Sequence, residues 1–358
     1  MTVIAGTPRI SAVAINKYIK KIAEPIMVRA RFLGALKAYG RISYNHDAAD
    51  IRWRVRYSRA TPSVGVGYPI DVSFNMPNRY TTAVLPWRQY QLGEAIPKIE
   101  KLIGRRDDTA FPRLLEVTLK NMRDDFQYYF QRVLYADGES GTNDLHGLES
   151  FFGYTGLVSS GKVGNPNDNY AGIATNLGAL GGTISGVFPE GVSDPEYRAW
   201  SPLIVDYKNS GFLQAGEGSS ATWPVTWRRA IRYGRAFLSA LQGVDPDIIV
   251  MHPDLERQAK DATDPYTRLE ATAQSKMVDL GIKTMQFEGI EIVTDPFCPS
   301  AVAYMLPMDK IELMCMQSQL IELHETTDPY NTDLLLLDFF GNMRADSPAF
   351  FCKLVGIS

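Results

Sequence analysis

Between Asp107 and Ala136 the sequence reads DDTAFPRLLEVTLKNMRDDFQYYFQRVLYA, and its apolar residues keep a helical period. Leu115, Leu119, Met122, Phe126, Phe130 and Val133 recur at steps of three and four, which sets them on one face of an α-helix. Asp108 or Thr109 suits the N-cap, and Pro112 is tolerated only within a first turn. Asp137-Gly138 is the expected stop, with Gly138 in the left-handed conformation. About 28 residues at about 1.5 Å each make a rod of roughly 40 Å. Such a rod is either one member of a bundle or solenoid, or a strut crossing most of a subunit. The chain ahead of it decides between the two.

Residues 51–58, IRWRVRYS, alternate: Ile51, Trp53, Val55 and Tyr57 face one way, and Arg52, Arg54, Arg56 and Ser58 the other. That is the period of a half-buried strand. A second strand is expected over Tyr80–Gln91, with Pro86 better suited to an edge or bulge than to a sheet centre. Arg59–Arg79 between them holds Pro62, Gly65, Gly67, Pro69 and Pro77, turn-rich material too long for an ordinary hairpin loop. Together these predict a long two-stranded ribbon. Such a ribbon is marginal alone in water, so it needs a neighbour or, as the alternative, its own domain to lie on. Ahead of it, Ser11–Leu36 has Ile15, Ile19, Ile22 and Ile26 at helical spacing, broken or kinked by Pro25. Too few apolar residues lie there for a core, so an extended arm packed on something else is expected.

Composition bounds the class. A chain of 358 residues, 45% hydrophobic and 22% charged, can bury more than one core. It has no apolar run of membrane-helix length, and MTVIAGTPRISAVAINKYIKK lacks the apolar stretch of a secretory signal. Cys298, Cys315 and Cys352 are odd in number and far apart, and read as small buried hydrophobes in a reducing compartment. The net charge of −3 hides a lopsided distribution. Residues 1–106 hold 18 Lys/Arg against 6 Asp/Glu, whereas the remainder holds 19 against 34. A solvated basic face, nucleic-acid contact, or the basic third of one copy lying on the acidic body of another would each account for this.

After the strut come LHGLESFFG (145–153) and a loop-rich stretch to about Thr222, with 13 glycines from Gly153 to Gly218. Its LGALGGTISG tract (177–186) lacks the spacing and the lysine of a phosphate-binding loop. Regular pattern returns with a helix over 223–242 closing at Gly243, and a short buried strand over Asp247–Met251. Helices over Asp254–Ala262 and Tyr266–Leu280 follow, then strands over Phe287–Val293 and Ala301–Leu306 separated by the turn Asp295-Pro296. Residues Lys310–Cys315, Leu334–Phe340 and Phe350–Val355 complete an α+β body with a mixed or antiparallel sheet.

Basic arm, ribbon, strut, glycine-rich loops and α+β body, in that order, resemble the major capsid protein of tailed bacteriophages, with its HK97-type fold. Local stretches resemble it too: LHGLESFF (145–152), YAGI (170–173) with Trp200, and PDIIVMHPDLERQAK (246–260). To these add EGIEIVTDPFCPSAVAYMLPMDKIELM (288–314) and GNMRADSPAFFCKLVGI (341–357). The match runs over nearly the whole chain, though each motif is loose. The resemblance implies an N-terminal arm (1–49), an E-loop ribbon (50–106), and a P-domain with spine helix and glycine-rich loops (107–222). Residues 223–358 would be mainly the axial A-domain, with closing strands returning to the P-domain. It further implies self-assembly, as pentamers and hexamers of an icosahedral shell in the host bacterial cytoplasm. The shell would enclose double-stranded DNA held by non-specific contact. Scaffolding, portal and decoration proteins are possible partners; cofactors and a membrane are not implied. Arg52, Arg54 and Arg56 are the expected intersubunit ion-pairing row, and Trp53, Tyr57 and Trp87 the side expected against a neighbour's apolar surface. Some members crosslink through an E-loop lysine, but no lysine stands between Lys37 and Lys98, so a non-covalent shell is expected. The arm is short, so a cleaved scaffolding segment is not expected.

No catalytic constellation competes. His46, His146, His252 and His324 lack metal-ligand spacing and read as turn or surface histidines. Asp124-Asp125 point apart on a helix, and Asp107-Asp108 and Asp245/Asp247 sit at element ends where acids favour helix starts. DGESGTNDLHGLE lacks the alternating ligands of a calcium loop, and no G-x-S-x-G occurs. The chain is therefore not expected to be an enzyme. An encapsulin-type nanocompartment shell and, further off, a carbohydrate-acting enzyme are the alternatives.

Overall fold

The computed structural model describes residues 30–57, 78–97, 110–139, 143–158, 161–176, 180, 199–262, 285–327 and 332–357. The start of the arm helix, the ribbon tip, nearly all of LGALGGTISG and the helix expected over Tyr266–Leu280 lie outside the described residues.

Four α-helices are described: α1 (Arg31–Ala38), α2 (Ala110–Val133), α3 (Trp223–Gln242) and α4 (Pro253–Asp261). The strands before α3 are β1 (Ile42–Ser43), β2 (Ile51–Arg56), β3 (Tyr80–Leu85), β4 (Arg88–Pro97), β5 (Tyr154–Leu157), β6 (Gly164–Pro166), β7 (Asn169–Tyr170), β8 (Ile173–Ala174) and β9 (Leu203–Asp206). Those after it are β10 (Ile248–Met251), β11 (Met285–Phe287), β12 (Ile290–Thr294), β13 (Val302–Leu306), β14 (Ile311–Cys315), β15 (Glu322–Thr327), β16 (Thr332–Ala345) and β17 (Cys352–Val355).

The body is a six-stranded mixed sheet in the order β11-β12-β10-β13-β17-β9. Its central strands are buried on both faces, which is why DIIVM reads as an unbroken apolar run. Ile249 and Met251 face one cluster with Trp223, Trp227 and Ile231 of α3 and Leu255 of α4. Ile248 and Val250 face a second cluster with Phe32 and Leu36 of α1 and the chain after α2. The sheet is thus a middle layer with helices on both sides. α3 ends as expected, with Gly243 at φ 65°. The single strand expected over 287–293 is instead a hairpin, β11 and β12 turning at Glu288-Gly289. β9 was not expected at all; it lies parallel to β17 at the sheet edge.

A second sheet carries the strut. β16 pairs along Thr332–Gly341 with β4, and on its opposite edge with β15 and then β14, beside which β1 lies parallel. α2 rests on this sheet: Leu119, Met122, Phe126, Phe130 and Val133 are buried, and Phe130 meets Phe339 edge-on at 4.8 Å between centroids. Its end differs from expectation. The helix stops at Val133, and Gly138 is not the left-handed cap. Gly138 is needed for close approach, since a Cβ there would stand 2.9 Å from the Cα of His146.

The arm is corrected too. Its last part, α1, is not an extended segment seeking a neighbour. Phe32, Leu33, Ala35 and Leu36 are fully buried in the subunit's own core, and Phe32 N donates to Asp295 Oδ2 at 3.2 Å. Burial pushes the Asp295 carboxyl above its usual range. The second ribbon strand is corrected as well: Pro86 divides it into β3, which pairs with β2, and β4, which joins β16.

Candidate assembly surface on the ribbon

The register Arg52↔Val84, Arg54↔Thr82, Arg56↔Tyr80 sets these six residues on one face of the β2–β3 ribbon, because partners across an antiparallel pair share a face. This face is outward. Arg52, Arg54 and Arg56 are exposed, Tyr80 is 54% exposed and Val84 36%. Arg52 meets Asp50 of its own chain at 2.8 Å, an exposed pair worth less than about 1 kcal/mol. Cations interleaved with an exposed aromatic and an aliphatic side chain form an amphipathic, positively charged strip.

The other face belongs to the subunit itself. Ile51, Val55, Ala83 and Leu85 are buried. Trp53 donates from Nε1 to Asp346 O at 2.9 Å, lies under the Arg344 guanidinium at 5.4 Å and faces the Tyr170 ring at 6.3 Å. Trp87 donates from Nε1 to Ala48 O at 2.7 Å, and the Tyr57 hydroxyl donates to Asn78 O at 2.9 Å across the ribbon. The side expected to meet a neighbour through Trp53, Tyr57 and Trp87 is therefore held by own-chain contacts. Alternation in the sequence separated the two faces correctly but could not say which one stays open.

Side chains complete the ribbon's root where β4 leaves β16. Beyond Gly341, the Tyr170 hydroxyl accepts from Ala345 N at 2.8 Å and donates to Met343 O at 3.2 Å, and Asn342 Nδ2 donates to Pro86 O at 2.7 Å. Burial pushes the Tyr170 hydroxyl above its usual range. Asp168 anchors the adjoining hairpin by accepting from Gly153 N at 2.9 Å and Asn169 N at 2.8 Å. Burial outweighs those two hydrogen bonds and pushes its carboxyl up to about 6. Deeper in, Lys353 of β17 reaches Glu149 at 2.6 Å, and the neighbouring Tyr304 hydroxyl donates to the same carboxylate. This pair ties the segment after α2 to the body sheet.

Among the described residues no group of three or more His, Cys, Asp and Glu could hold a metal ion, and no helix is long and apolar enough to cross a membrane. Cys298, Cys315 and Cys352 are free and buried; burial raises all three thiols, Cys315 to about 12. His252 caps α4, its Nδ1 accepting from Asp254 N at 3.2 Å. His146, expected as a turn or surface histidine, is instead buried in the core. Its only sequence signal was its place inside the apolar stretch LHGLESFF.

No protein-family model and no curated protein matches the sequence. Solved structures do match in three dimensions. The capsid asymmetric unit of cyanophage A-1(L) superposes with a TM-score of 0.56 at 15% identity, covering 90% of this chain and 92% of that one. The capsid of the native GTA particle gives 0.52 at 11% identity, covering 92% and 89%. The empty GTA particle gives 0.50 at 13% identity, covering 90% and 96%. The chain has the HK97-type capsid fold. At such identities the agreement lies in the backbone path.

Proposed function

We propose that this chain is the major capsid protein of a tailed bacteriophage, a structural subunit and not an enzyme. In this reading it assembles as pentamers and hexamers into an icosahedral shell around packaged double-stranded DNA. The observation that carries the proposal is a ribbon whose inner face is fastened to its own subunit while its outer face presents Arg52, Arg54 and Arg56 beside exposed Tyr80 and Val84. The acid excess after residue 106 supplies the complementary charge on a second copy. Head-to-tail contacts between unlike surfaces close into rings, and rings of five and six tile a shell. The capsid fold, shared over about nine-tenths of both chains, agrees with this reading.

Residues 1–49 then act as the arm, 50–106 as the E-loop, 107–222 as the P-domain and 223–358 mainly as the A-domain. With no lysine between Lys37 and Lys98, the ribbon offers no amine for a crosslink and the shell is non-covalent. Contact with DNA is to its phosphates and independent of sequence. More than half of the basic residues in the first third, among them Arg9, Lys98 and Arg106, lie outside the described residues. Scaffolding, portal and decoration proteins are further partners in this reading, and assembly takes place in the bacterial cytoplasm.

Negative-stain microscopy of the chain expressed alone and with its phage neighbours tests the proposal: closed particles of uniform diameter support it, and a dispersed monomer under both conditions refutes it. The triple variant Arg52→Glu, Arg54→Glu, Arg56→Glu tests the surface. Particle yield falls at least tenfold while circular dichroism stays unchanged, because these exposed side chains contribute little to the subunit's own fold. Unchanged yield would remove the arginine row from the contact.

A further inference from the structure

His146 is the one buried histidine of the four, 2% exposed, and its hydrogen bonds assign its protons. Asn342, fully buried, accepts through Oδ1 from two backbone groups, His146 N at 3.0 Å and Met343 N at 2.9 Å. Turned over, the amide would set its own N–H groups against those two donors, so its orientation is fixed. Nδ2 therefore points at Pro86 O, 2.7 Å away, and at His146 Nδ1, 2.8 Å away. A ring nitrogen facing a donor must accept, so Nδ1 carries no proton. The proton sits on Nε2, which faces Glu139 Oε1 at 3.3 Å. The ring is neutral, in the Nε2–H tautomer.

These bonds join four separate pieces of chain. Pro86 links β3 to β4 and so forms the root of the ribbon. Asn342 follows Gly341, the last β16 residue paired with β4. Glu139 and His146 both belong to the segment after α2. Ala171, which donates to Glu139 Oε1 at 3.1 Å, also accepts from Val84 N of the ribbon at 3.1 Å.

We propose that His146 is a proton-sensitive latch at the root of the β2–β3 ribbon. A proton added at Nδ1 would set two donors face to face at 2.8 Å in a buried site. Asn342 must then turn or withdraw, and either movement gives up its bond to Pro86 O. The latch is closed when the ring is neutral and opens in acid. The charged groups around the ring come from several elements. Glu139 after α2 lies 3.3 Å from Nε2, with Asp137 of the same segment and Asp168 of the adjoining hairpin beside that carboxylate. Arg88 of β4, whose Nη2 donates to Gly138 O at 3.4 Å, faces Glu139 too. Arg344 of β16 lies beyond the Tyr170 ring, which stands edge-on to the imidazole. Burial pushes the Glu139 carboxyl up, but His146, the Ala171 N–H and Arg88 together hold it below its usual range, so it faces the ring as a carboxylate. The inference stands on the subunit's own geometry and does not depend on the shell reading.

Hydrogen exchange of the full chain, corrected for the intrinsic pH dependence, tests it on ribbon amides 51–56 and 80–85 at pH 7.5 and pH 5.0. Ribbon protection should fall at least tenfold at pH 5.0 in the wild type relative to the amides of β10 and β13. In His146→Asn, whose side chain cannot take up a proton, this pH step should vanish. An unchanged wild-type ribbon, or a step that survives in the variant, overturns the proposal. If the variant fails to fold, selective 15N-histidine NMR of the wild type decides. One ring should show a bare Nδ1 and a protonated Nε2 at pH 7.5, and its titration should share a midpoint with the loosening of the ribbon. A ring already doubly protonated at pH 7.5, or loosening without titration of that ring, overturns it.

Discussion

Replacing Lys353 by methionine probes what ties the segment after α2 to the body sheet. The Lys353 side chain is 6% exposed and its ammonium lies 2.6 Å from a Glu149 oxygen. It also sits 5.4 Å from the Tyr154 ring centroid and 6.0 Å from that of Phe152. Lys353→Met keeps the unbranched stem and its packing but leaves Glu149 with the Tyr304 hydroxyl as its remaining close donor. Removing one partner of a fully buried pair costs about 3–5 kcal/mol. The Glu149 side chain is 23% exposed, so water partly rehydrates it, and the expected loss is about 2–3 kcal/mol. Urea unfolding of dissociated subunits, followed by tryptophan fluorescence, measures it. Glu149→Gln in the same chain removes the stranded charge while still accepting from Tyr304, and should recover about 1 kcal/mol or more. A single variant within about 0.5 kcal/mol of wild type, or a double variant no more stable than the single one, would refute the view that the pair is electrostatically coupled in the core.

Three further outcomes are expected. Gly147→Ala should abolish soluble expression or lower the melting temperature sharply, since its Cβ would lie 2.5 Å from Leu134 O and 2.7 Å from Ala136 N, both backbone atoms; an unchanged melting temperature contradicts this. Because burial raises the Asp168 carboxyl to about 6, the folded state holds that proton more tightly than the unfolded one, whose carboxyl titrates near 3.9. Its stabilisation is therefore full below about pH 4 and lost as pH rises to about 6, by about 1 kcal/mol once its partial exposure is allowed for. Asp168→Asn should remove that slope from a stability-against-pH curve, and an identical slope in the variant would contradict the assignment. Denaturing electrophoresis of particles without reducing agent should give a single band near 39.9 kDa, because all three thiols are buried and the ribbon has no lysine; a ladder of multimers would refute the non-covalent shell.

Local periodicity carried much of the fold. The steps of three and four marked the buried face of α2 over 119–133, the alternation over 51–57 sorted the ribbon's two faces, and Gly243 closed α3. What sequence could not carry was pairing between distant segments. β4 continues to Pro97 because β16 offers it a ten-residue ladder, from Thr332 to Gly341, that nothing within 88–97 announces. β9 looks like loop by composition and becomes strand because β17 lies beside it. The segment ahead of the ribbon reads as too poor in apolar residues for a core of its own, yet its α1 packs into the core on the other side of the body sheet. The ribbon divides in the same way. The sequence by itself determined that the arginines share one face and the apolar residues the other, since side-chain alternation is a property of the strand. Only the tertiary structure decided that the tryptophan side closes on its own subunit and that His146 is buried at the ribbon's root, since burial depends on what the rest of the chain brings alongside.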